Sequence, residues 1–216
     1  MRTWSGILGE LLEEFKDEMG RIGIRNIEPL SKGTSSVVLL GRLPGRKVVV
    51  KLQRPDSPRR NLFKEAALTR AIEPFGITPP PICAGTFRGL EYLVRDFVEG
   101  EPILTARVRR RHVFEIALKT AALDRLRLDH GQIQGGKHVI IGRGTWVIDF
   151  EKANWRKPKN LTSAMSMLFL GKNAVSLRIR ERFGVDGAFL EELRRELLNY
   201  KRGKGISGLL GLLSTL

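Results

Sequence analysis

Lys51 and Glu65 are the first residues whose types and spacing suggest chemistry. Lys51 ends a valine-rich run, and the two-residue period of a strand puts it on the same face as Val49, next to an apolar neighbour. Glu65 follows fourteen residues later, in a segment with helical spacing. An ion pair between the two would hold the ammonium group for a contact with the α- and β-phosphates of a nucleotide. Alternatively, Lys51 is a lysine at a solvated strand end.

A small-residue loop, Lys32–Ser36, lies between two predicted strands just before Lys51. Small residues let backbone N–H groups approach phosphate oxygens closely, so this loop is a candidate phosphate cover. Most turns of this composition are only turns, and the loop alone does not decide between the two interpretations.

Asp149 ends a second apolar run, which begins at Trp146. A carboxylate that projects from a strand end suits Mg²⁺, a hard cation that takes one or two carboxylates besides phosphate oxygens. An Asp after a strand is also a common N-cap of a helix, so both roles stay open for Asp149.

A polar loop precedes this strand and contains Asp129, His130, Gln132 and Lys137. Its residue types are those of acid–base and phosphate chemistry. For His130 the alternative is a structural imidazole with satisfied hydrogen bonds, which we favour.

The elements that must position these side chains can be placed from hydrophobic periodicity. The first 24 residues predict an amphipathic helix over 4–19, and three short β-branched runs predict an antiparallel meander. A helix that carries Glu65 and two more strands follow, and glycine and proline punctuate the segments. The predicted bounds are strands at 27–30, 37–43 and 47–52, the helix at 61–72, and strands at 82–87 and 91–97.

The character of the chain changes after Gly100, so we predict domains at 1–24, 25–100 and 101–216. The last of these is mostly helical and contains one small hairpin, 139–141 with 146–148, turned at 142–144. Its predicted helices span 106–127, 161–169, 174–183 and 188–200, with a terminal helix in the apolar run 206–216.

Composition predicts a folded protein with an anionic partner. The formal net charge is +15, and the first 24 residues carry −2, so the remaining body carries +17. Four arginines lie within 107–111, and a basic run around Trp155 spans 152–159. Such runs are usually solvated faces, although an RNA or ribosome contact is a further interpretation.

Several function classes are excluded by what the chain lacks. It contains no P-loop and no paired Cys/His zinc spacing. The single cysteine, Cys83, cannot form an internal disulfide and predicts a buried thiol in a cytoplasmic protein. We expect no membrane span, because no uncharged apolar run approaches the ~20 residues that one needs.

Taken in order, these features resemble the protein-kinase-like superfamily over residues 27 to about 153. The order is a strand, a glycine loop, a second strand, the Lys51 strand, the Glu65 helix, a linker, a catalytic-type loop, a hairpin and the triplet Asp149-Phe150-Glu151. The resemblance is closest to small atypical kinases, such as the RIO-like and predicted archaeal serine/threonine kinases, and to the aminoglycoside phosphotransferases.

The resemblance implies a role for each matching residue. Lys51 becomes the phosphate anchor with Glu65 as its partner, and Asp149 becomes the Mg²⁺ ligand. The linker that contains Asp96 and Val98 would bind the adenine edge through its backbone. The residues that would cover the phosphates are Gly33, Thr34, Ser35 and Ser36.

The catalytic loop departs from the family pattern. Gln132 stands where the family has its catalytic aspartate, and an amide is a poor proton acceptor. Lys137, or His138 if the register shifts by one residue, stands where an asparagine would hold a second metal ion. We therefore name Asp129 as the candidate base in a rearranged loop, with Lys137 near the transferred phosphate.

The prediction is thus a bilobal α+β kinase-like fold, with a β-rich amino lobe that carries one helix and a minimal, mainly helical carboxyl lobe. It implies an ATP-dependent, Mg²⁺-using phosphotransferase of the serine/threonine protein kinase type, with a protein phosphoacceptor. The alternative is an ATP-binding pseudokinase that acts as an RNA- or ribosome-associated regulator. Gln132 is the residue that separates these two functions.

Overall fold

The structure, a computed structural model, describes residues 4–57 and 59–216, with backbone alone for residues 4–8. The first three residues of the predicted segment 1–24 therefore lie outside the described residues. The chain forms two compact units: the first contains the residues up to Ala71 together with Pro79–Phe97, and the second contains Ile72–Thr78 and Val98–Leu216. The domain boundary at residue 100 stays a prediction, and each unit is described by itself.

The first unit contains a five-stranded antiparallel sheet with the strand order β1-β2-β3-β5-β4. The predicted meander is confirmed, because β1, β2 and β3 are consecutive neighbours. Two-residue turns close the β2–β3 and β4–β5 hairpins, and Arg88 and Gly89 in the β4–β5 turn both have positive φ, as the twist of a tight hairpin requires. The strands are β1 (Arg25–Lys32), β2 (Ser36–Leu43), β3 (Arg46–Gln53), β4 (Pro81–Phe87) and β5 (Leu90–Asp96).

Two helices belong to this unit, α1 (Trp4–Arg21) and α2 (Leu62–Ala71). Helix α1 buries Phe15 and Met19 completely, in one core cluster with Val48 and Val50 of β3. The Phe15 ring lies 5.3 Å from that of Phe87 and 5.7 Å from that of Tyr92. Because strand residues alternate between faces, Lys51 lies on the opposite face of β3 from this cluster.

The second unit is mainly helical and carries two small sheets, β6-β8-β9 and β7-β10. The predicted hairpin is present as β8 and β9, which pair from Val139 with Val147 to Ile141 with Thr145. The strands are β6 (Glu101–Pro102), β7 (Leu128–Asp129), β8 (Val139–Ile141), β9 (Thr145–Val147) and β10 (Asn154–Trp155). The helices are α3 (Arg110–Arg125), α4 (Asn160–Met165), α5 (Ala174–Phe183), α6 (Gly187–Lys201) and α7 (Ser207–Leu213), with short 3₁₀ turns at Glu73–Phe75 and Ile133–Gly135.

The structure corrects two predicted helices. The helix predicted over 106–127 begins only at Arg110, because the N–H groups of Thr105 and Ala106 both bond to Pro102 O in a tight turn and Arg109 is extended. The helix predicted over 161–169 ends at Met165 and continues as a π-helical turn, Ser166–Leu170. The short strands β6, β7 and β10 were not predicted, because two residues are too few to show alternation.

Both units together give the mixed α+β architecture expected from the sequence. Within the described residues, no helix is both long and apolar enough to cross a membrane.

We expect Phe15→Ala to lower the free energy of unfolding of the first unit by about 3–5 kcal/mol, because it empties a fully buried aromatic site. Chemical denaturation followed by tryptophan fluorescence measures the change. Phe63→Ala is the matched control: its side chain is 43% exposed, and we expect a change of about 0.5 kcal/mol or less. Equal losses in the two variants would mean that α1 does not belong to the core.

Candidate active site

Lys51 and Glu65 form a buried ion pair inside the first unit. Both carboxylate oxygens of Glu65 accept hydrogen bonds from Lys51 Nζ, at 2.8 Å each. Lys51 is 5% exposed and Glu65 1% exposed, so this lysine is not a solvated strand-end residue. A charge removed from water requires a hydrogen-bonded counter-charge, and Glu65 provides one that fixes the position of the ammonium group.

Helix α2 is itself fixed by Glu91, a residue that the sequence reasoning missed. Glu91 Oε2 accepts the backbone N–H groups of Leu62 (2.8 Å) and Phe63 (3.2 Å), the first two residues of the helix. A carboxylate suits this position, because the first N–H groups of a helix have no partner within the helix. Glu91 lies on β5, so the sheet determines where α2 begins and hence where Glu65 lies.

The predicted phosphate cover is a tight turn between β1 and β2. Gly33 N donates to Ser36 O at 2.9 Å, and Ser35 and Ser36 are buried. Arg54 ties this turn to the end of β3, because its backbone N–H donates to Ser35 O (2.9 Å) and its Nη1 to Gly33 O (3.1 Å).

The Arg54 guanidinium also bonds to Asp56, with Nε 2.8 Å from Oδ1. This hydrogen bond lowers the pKa of the exposed Asp56 carboxyl. No sequence motif marks Arg54, which takes this role only through the register of β3 against β2.

The predicted adenine-binding linker follows β5. Arg46 Nη1 lies 3.1 Å from Asp96 Oδ1, and Phe97 N donates to Lys47 O at 3.0 Å. The Phe97–Lys47 bond continues the pairing of β3 with β5 by one residue beyond the end of β5. The backbone role assigned to Asp96 and Val98 stays a prediction.

In the second unit, Asp149 follows strand β9 in a left-handed backbone conformation, with φ +67°. Side chains other than glycine rarely adopt this region, and such residues concentrate at functional sites, where the surroundings hold them. Ile148 N donates to His138 O at 2.9 Å, and His138 Nδ1 lies 3.3 Å from Asp149 Oδ2. No helix begins between residues 149 and 153, so Asp149 does not act as an N-cap.

His130 is a structural imidazole, as we favoured from the sequence. It is fully buried, and its ring lies edge-on to Phe150 at 4.7 Å. Nδ1 accepts the N–H of Gln132 (3.3 Å), so in the neutral ring Nε2 carries the proton and donates to Ile148 O (3.0 Å). His130 thereby joins the catalytic-type loop to the residue before Asp149.

Asp129 is held by two partners in the same region. Its Oδ2 accepts a hydrogen bond from Arg156 Nε at 2.7 Å, and its Oδ1 from the N–H of Gly131 at 3.3 Å. Asp129 is 4% exposed, whereas Gln132 is half-buried and Lys137 is exposed. Asp129 would therefore have to leave Arg156 before it could accept a proton from a substrate. Arg156 was missed because the β7–β10 pairing that brings it to Asp129 is too short to be seen in the sequence.

Asn160 holds the catalytic-type loop through its side-chain amide. It was not among the residues predicted from the sequence. Its Oδ1 accepts the N–H of His130 (2.9 Å), and its Nδ2 donates to Leu128 O and to Asp124 Oδ1 (2.8 Å each). Asn160 is 1% exposed, so nearly all of its polar atoms find protein partners. A polar residue at the start of a predicted helix was the only signal in the sequence.

Asp124 completes this network at the end of helix α3. It accepts the backbone N–H groups of Asn160 (2.8 Å) and Leu161 (3.2 Å) and the hydroxyl of Tyr200 (3.0 Å). Burial raises the pKa of the Asp124 carboxyl, and the hydrogen bonds oppose that rise. Burial and the neighbouring Asp124 also raise the pKa of Tyr200, which keeps its phenol protonated as a donor.

The structure thus brings together Lys51 and Glu65 in the first unit, and the residues around Asp149 in the second. A five-stranded antiparallel sheet with a lysine–glutamate pair on its third strand and following helix is typical of the kinase-like superfamily. The model of the phosphotransferase enzyme family matches residues 26–157, and the chain belongs to this family.

A relative from Methanocaldococcus jannaschii, an uncharacterized protein, is 35% identical over 115 residues. The match covers 50% of this chain and 98% of the relative. The relative therefore aligns over nearly its whole length with about half of this chain.

We expect Glu65→Gln to lower the free energy of unfolding by about 3–5 kcal/mol, because it leaves the Lys51 ammonium buried without a counter-charge. Urea denaturation measures the loss. Glu28→Gln, at an exposed position on β1, is the control for loss of one carboxylate. The double variant Lys51→Met/Glu65→Leu removes both charges and should recover most of the stability; a double variant as unstable as the single one would contradict this account.

We expect Asn160→Ala to lower the free energy of unfolding of the second unit by about 3 kcal/mol, because it leaves buried polar groups unsatisfied. It should also shift the backbone amide resonance of His130. Asn154→Ala is the control, since Asn154 is exposed and its Oδ1 bonds to the N–H of its neighbour Trp155. An unchanged His130 resonance in Asn160→Ala would show that the loop does not depend on Asn160.

Proposed function

We propose that this member of the phosphotransferase enzyme family transfers the γ-phosphate of ATP, with Mg²⁺, to a serine or threonine hydroxyl of a protein. The observation that carries the proposal is the buried Lys51–Glu65 pair, with both carboxylate oxygens 2.8 Å from Nζ. Phosphoryl transfer depends mainly on positioning and on charge stabilisation, and a lysine held in this way is suited to both.

Lys51 would contact the α- and β-phosphates, and the turn Gly33–Ser36 would cover them with backbone N–H groups other than that of Gly33, which donates to Ser36 O. Support for the turn comes from Arg54, which holds it through Ser35 O and Gly33 O. A backbone donor fixed in advance needs little reorganisation when the phosphates bind. The adenine edge would bind to the backbone of Asp96 and Val98.

Asp149 fits the role of the Mg²⁺ ligand. Its side chain is 27% exposed, so a carboxylate oxygen is accessible, and its left-handed backbone sets its direction. Among the described residues, no group of three or more His, Cys, Asp or Glu side chains could hold a metal by itself. That agrees with Mg²⁺, which usually takes one or two carboxylates and completes its shell with phosphate oxygens and water. Bound there, the ion would neutralise charge on the phosphates.

The transfer step forms a bond between the acceptor oxygen and the γ-phosphorus and breaks the bond from that phosphorus to the leaving ADP oxygen. The acceptor hydroxyl loses its proton in this step. Gln132 cannot take it, so we assign the proton to Asp129 after its release from Arg156, and we place Lys137 near the transferred phosphate. The need to break a 2.7 Å hydrogen bond predicts slow turnover.

The serine/threonine acceptor rests on the resemblance of the ordered motifs to small atypical protein kinases. The segment between Glu151 and α4 is short. It has only eight residues, and two of them pair with β7. A protein acceptor would therefore be bound by surfaces other than a long activation segment.

A second candidate is an ATP-binding pseudokinase that contacts RNA or the ribosome. The observation in its favour is that Asp129 already has two partners while Gln132 stands in the position of the family's base. A basic run that contains Lys152, Arg156, Lys157 and Lys159 surrounds Trp155, which is 54% exposed and offers a stacking surface for a base.

The proposed function is tested with γ-labelled ATP, Mg²⁺ and a cell extract as the source of acceptors. We expect Asp149→Asn to lower transfer by on the order of 10²–10³-fold, since it removes a group that stabilises charge in the transition state. Lys51→Met/Glu65→Leu should lower ATP affinity while keeping the fold. Asp17→Asn, an exposed position on α1, is the control.

The outcomes separate the two functions. Label in a protein band, lost in both site variants, supports the kinase. Label in a soluble metabolite keeps the phosphotransferase and contradicts the protein acceptor. ATP binding by the wild-type chain without any transfer contradicts the proposed phosphotransferase activity and supports the pseudokinase. Asp129→Asn with unchanged transfer would remove Asp129 from the reaction.

A further inference from the structure

A basic cavity of about 520 Å³ lies entirely within the second unit, and none of its lining residues has a role in the nucleotide site proposed above. It is bounded by the chain from Gly100 to His112 and by the hairpin turn after β8. Its charged and polar lining consists of Glu101, Thr105, Arg107, Arg109, Arg111, His112 and Arg143. A volume of this size is within the range of small-molecule sites.

Two glycines form the wall where these chain segments meet. A Cβ atom on Gly100 would lie 2.4 Å from Ile141 O, and one on Gly142 would lie 2.2 Å from Glu99 O. Gly100 also has φ +149°. The two backbones therefore approach more closely than a side chain at either position would allow, and together they line one side of the cavity.

The segment that carries Arg107 is held from the other side. Arg178 donates to the backbone oxygens of Ile103, Leu104 and Ala106. These partners are neutral carbonyl groups, so they fix the segment without adding negative charge to the cavity.

Within the described residues, the four arginines of the cavity form no ion pair with a carboxylate. The first turn of helix α3, which begins at the cavity, also has no acidic residue. The positive end of the helix dipole adds to the charge of the guanidinium groups. Like charges gathered around one concavity attract an anion strongly, because the low-dielectric walls focus the field.

His112 is the most specific feature of the cavity. It is 2% exposed, its Nδ1 lies 3.1 Å from the backbone N of Arg109, and its Nε2 lies 3.2 Å from Arg111 Nε. Both neighbours are N–H donors, and a neutral imidazole can accept at only one nitrogen. Burial, and next the charge of Arg111, lower the pKa of His112, so the ring is neutral at pH 7.

The tautomer decides where the remaining proton points. If Nδ1 accepts the Arg109 N–H, then Nε2–H and the Arg111 Nε–H are two donors side by side at the cavity. If Nδ1 carries the proton, two N–H groups oppose each other at the start of α3 and the capping contact between Nδ1 and the Arg109 N–H is lost. The first arrangement is favoured, and it lacks one acceptor, which an anion in the cavity would supply to both donors at once.

We propose that this cavity binds the phosphate monoester of a small hydroxylated molecule, such as a sugar phosphate. The phosphate accepts hydrogen bonds from Arg111 and His112, and Arg107, Arg109 and Arg143 balance its charge. A planar guanidinium suits phosphate oxygens because it presents parallel donors. Glu101 accepts a hydrogen bond from a hydroxyl group of the ligand, and its negative charge disfavours a continuous chain of phosphates.

The test is isothermal titration calorimetry of the full chain with two probes, inorganic phosphate and ribose 5-phosphate. We expect both to bind, with ribose 5-phosphate the tighter, and Arg111→Gln to weaken each by about tenfold or more, as the loss of a charged hydrogen bond predicts. Arg110→Gln is the matched control, because Arg110 is exposed and is the neighbour of Arg111 but does not line the cavity. It removes the same charge.

Equal weakening by Arg110→Gln and Arg111→Gln would overturn the proposal, since diffuse charge would then explain binding. Absence of binding by the wild-type chain would overturn it too, as would a single-stranded RNA oligonucleotide that binds where ribose 5-phosphate does not. Phosphate should shift the ring nitrogen resonances of His112, with Nε2 as the protonated nitrogen, and an unperturbed ring would count against the site.

The same titration distinguishes this site from the nucleotide site. Lys51→Met/Glu65→Leu should bind ribose 5-phosphate as the wild-type chain does, even where its ATP affinity is lost. If that variant loses both ligands, the phosphate has been binding at the nucleotide site and the cavity is not a separate one. Failure of phosphoryl transfer alone leaves this result unaffected.

Discussion

A buried ammonium group must have a fixed counter-charge, and in this chain that requirement joins the central strand of the sheet to helix α2. Lys51 lies on β3, between β2 and β5, and Glu65 reaches it from the helix. Neither residue could be buried alone, because an isolated ion inside a protein is strongly disfavoured. The ion pair therefore fixes the position of α2 relative to β3 as well as holding the ammonium group, because it forms only when strand and helix are correctly placed.

The second unit solves a related problem with neutral groups. A left-handed Asp149 is strained, and it persists only if its neighbours are held on both sides. His130 holds Ile148 through its carbonyl, His138 holds it through its amide, and the Phe150 side chain packs against the His130 ring. Asn160 in turn holds His130. The catalytic-type loop, which departs most from the family in its residues, is thus still held firmly by hydrogen bonds. Such a loop can position a substrate even where it lacks the usual group for proton transfer.

Periodicity and the order of motifs predict the Lys51–Glu65 pair, whereas contacts that depend on the register of distant segments could not be predicted from the sequence. The Val48–Leu52 run showed that Lys51 shares a face with Val49, and the helical spacing around Glu65 placed its partner, so this pair could be anticipated. Asp129–Arg156 depends on two-residue strands, and Asn160–His130 on a contact across thirty residues. No local pattern encodes such contacts, because each residue alone looks like an ordinary surface or capping residue.

The arginines of this chain have two kinds of partner, carboxylates and backbone carbonyl groups. Arg54 and Arg156 are neutralised by Asp56 and Asp129. Arg178 instead donates to the backbone carbonyl oxygens of Ile103 and Leu104, which satisfies its N–H groups without cancelling charge. Guanidinium groups used in this way stabilise loops and leave the net potential positive. Part of the basic charge of this chain therefore stabilises its own backbone. Net charge alone cannot identify a ligand, and a specific anion site has to be argued from a concavity with a missing acceptor, as at His112.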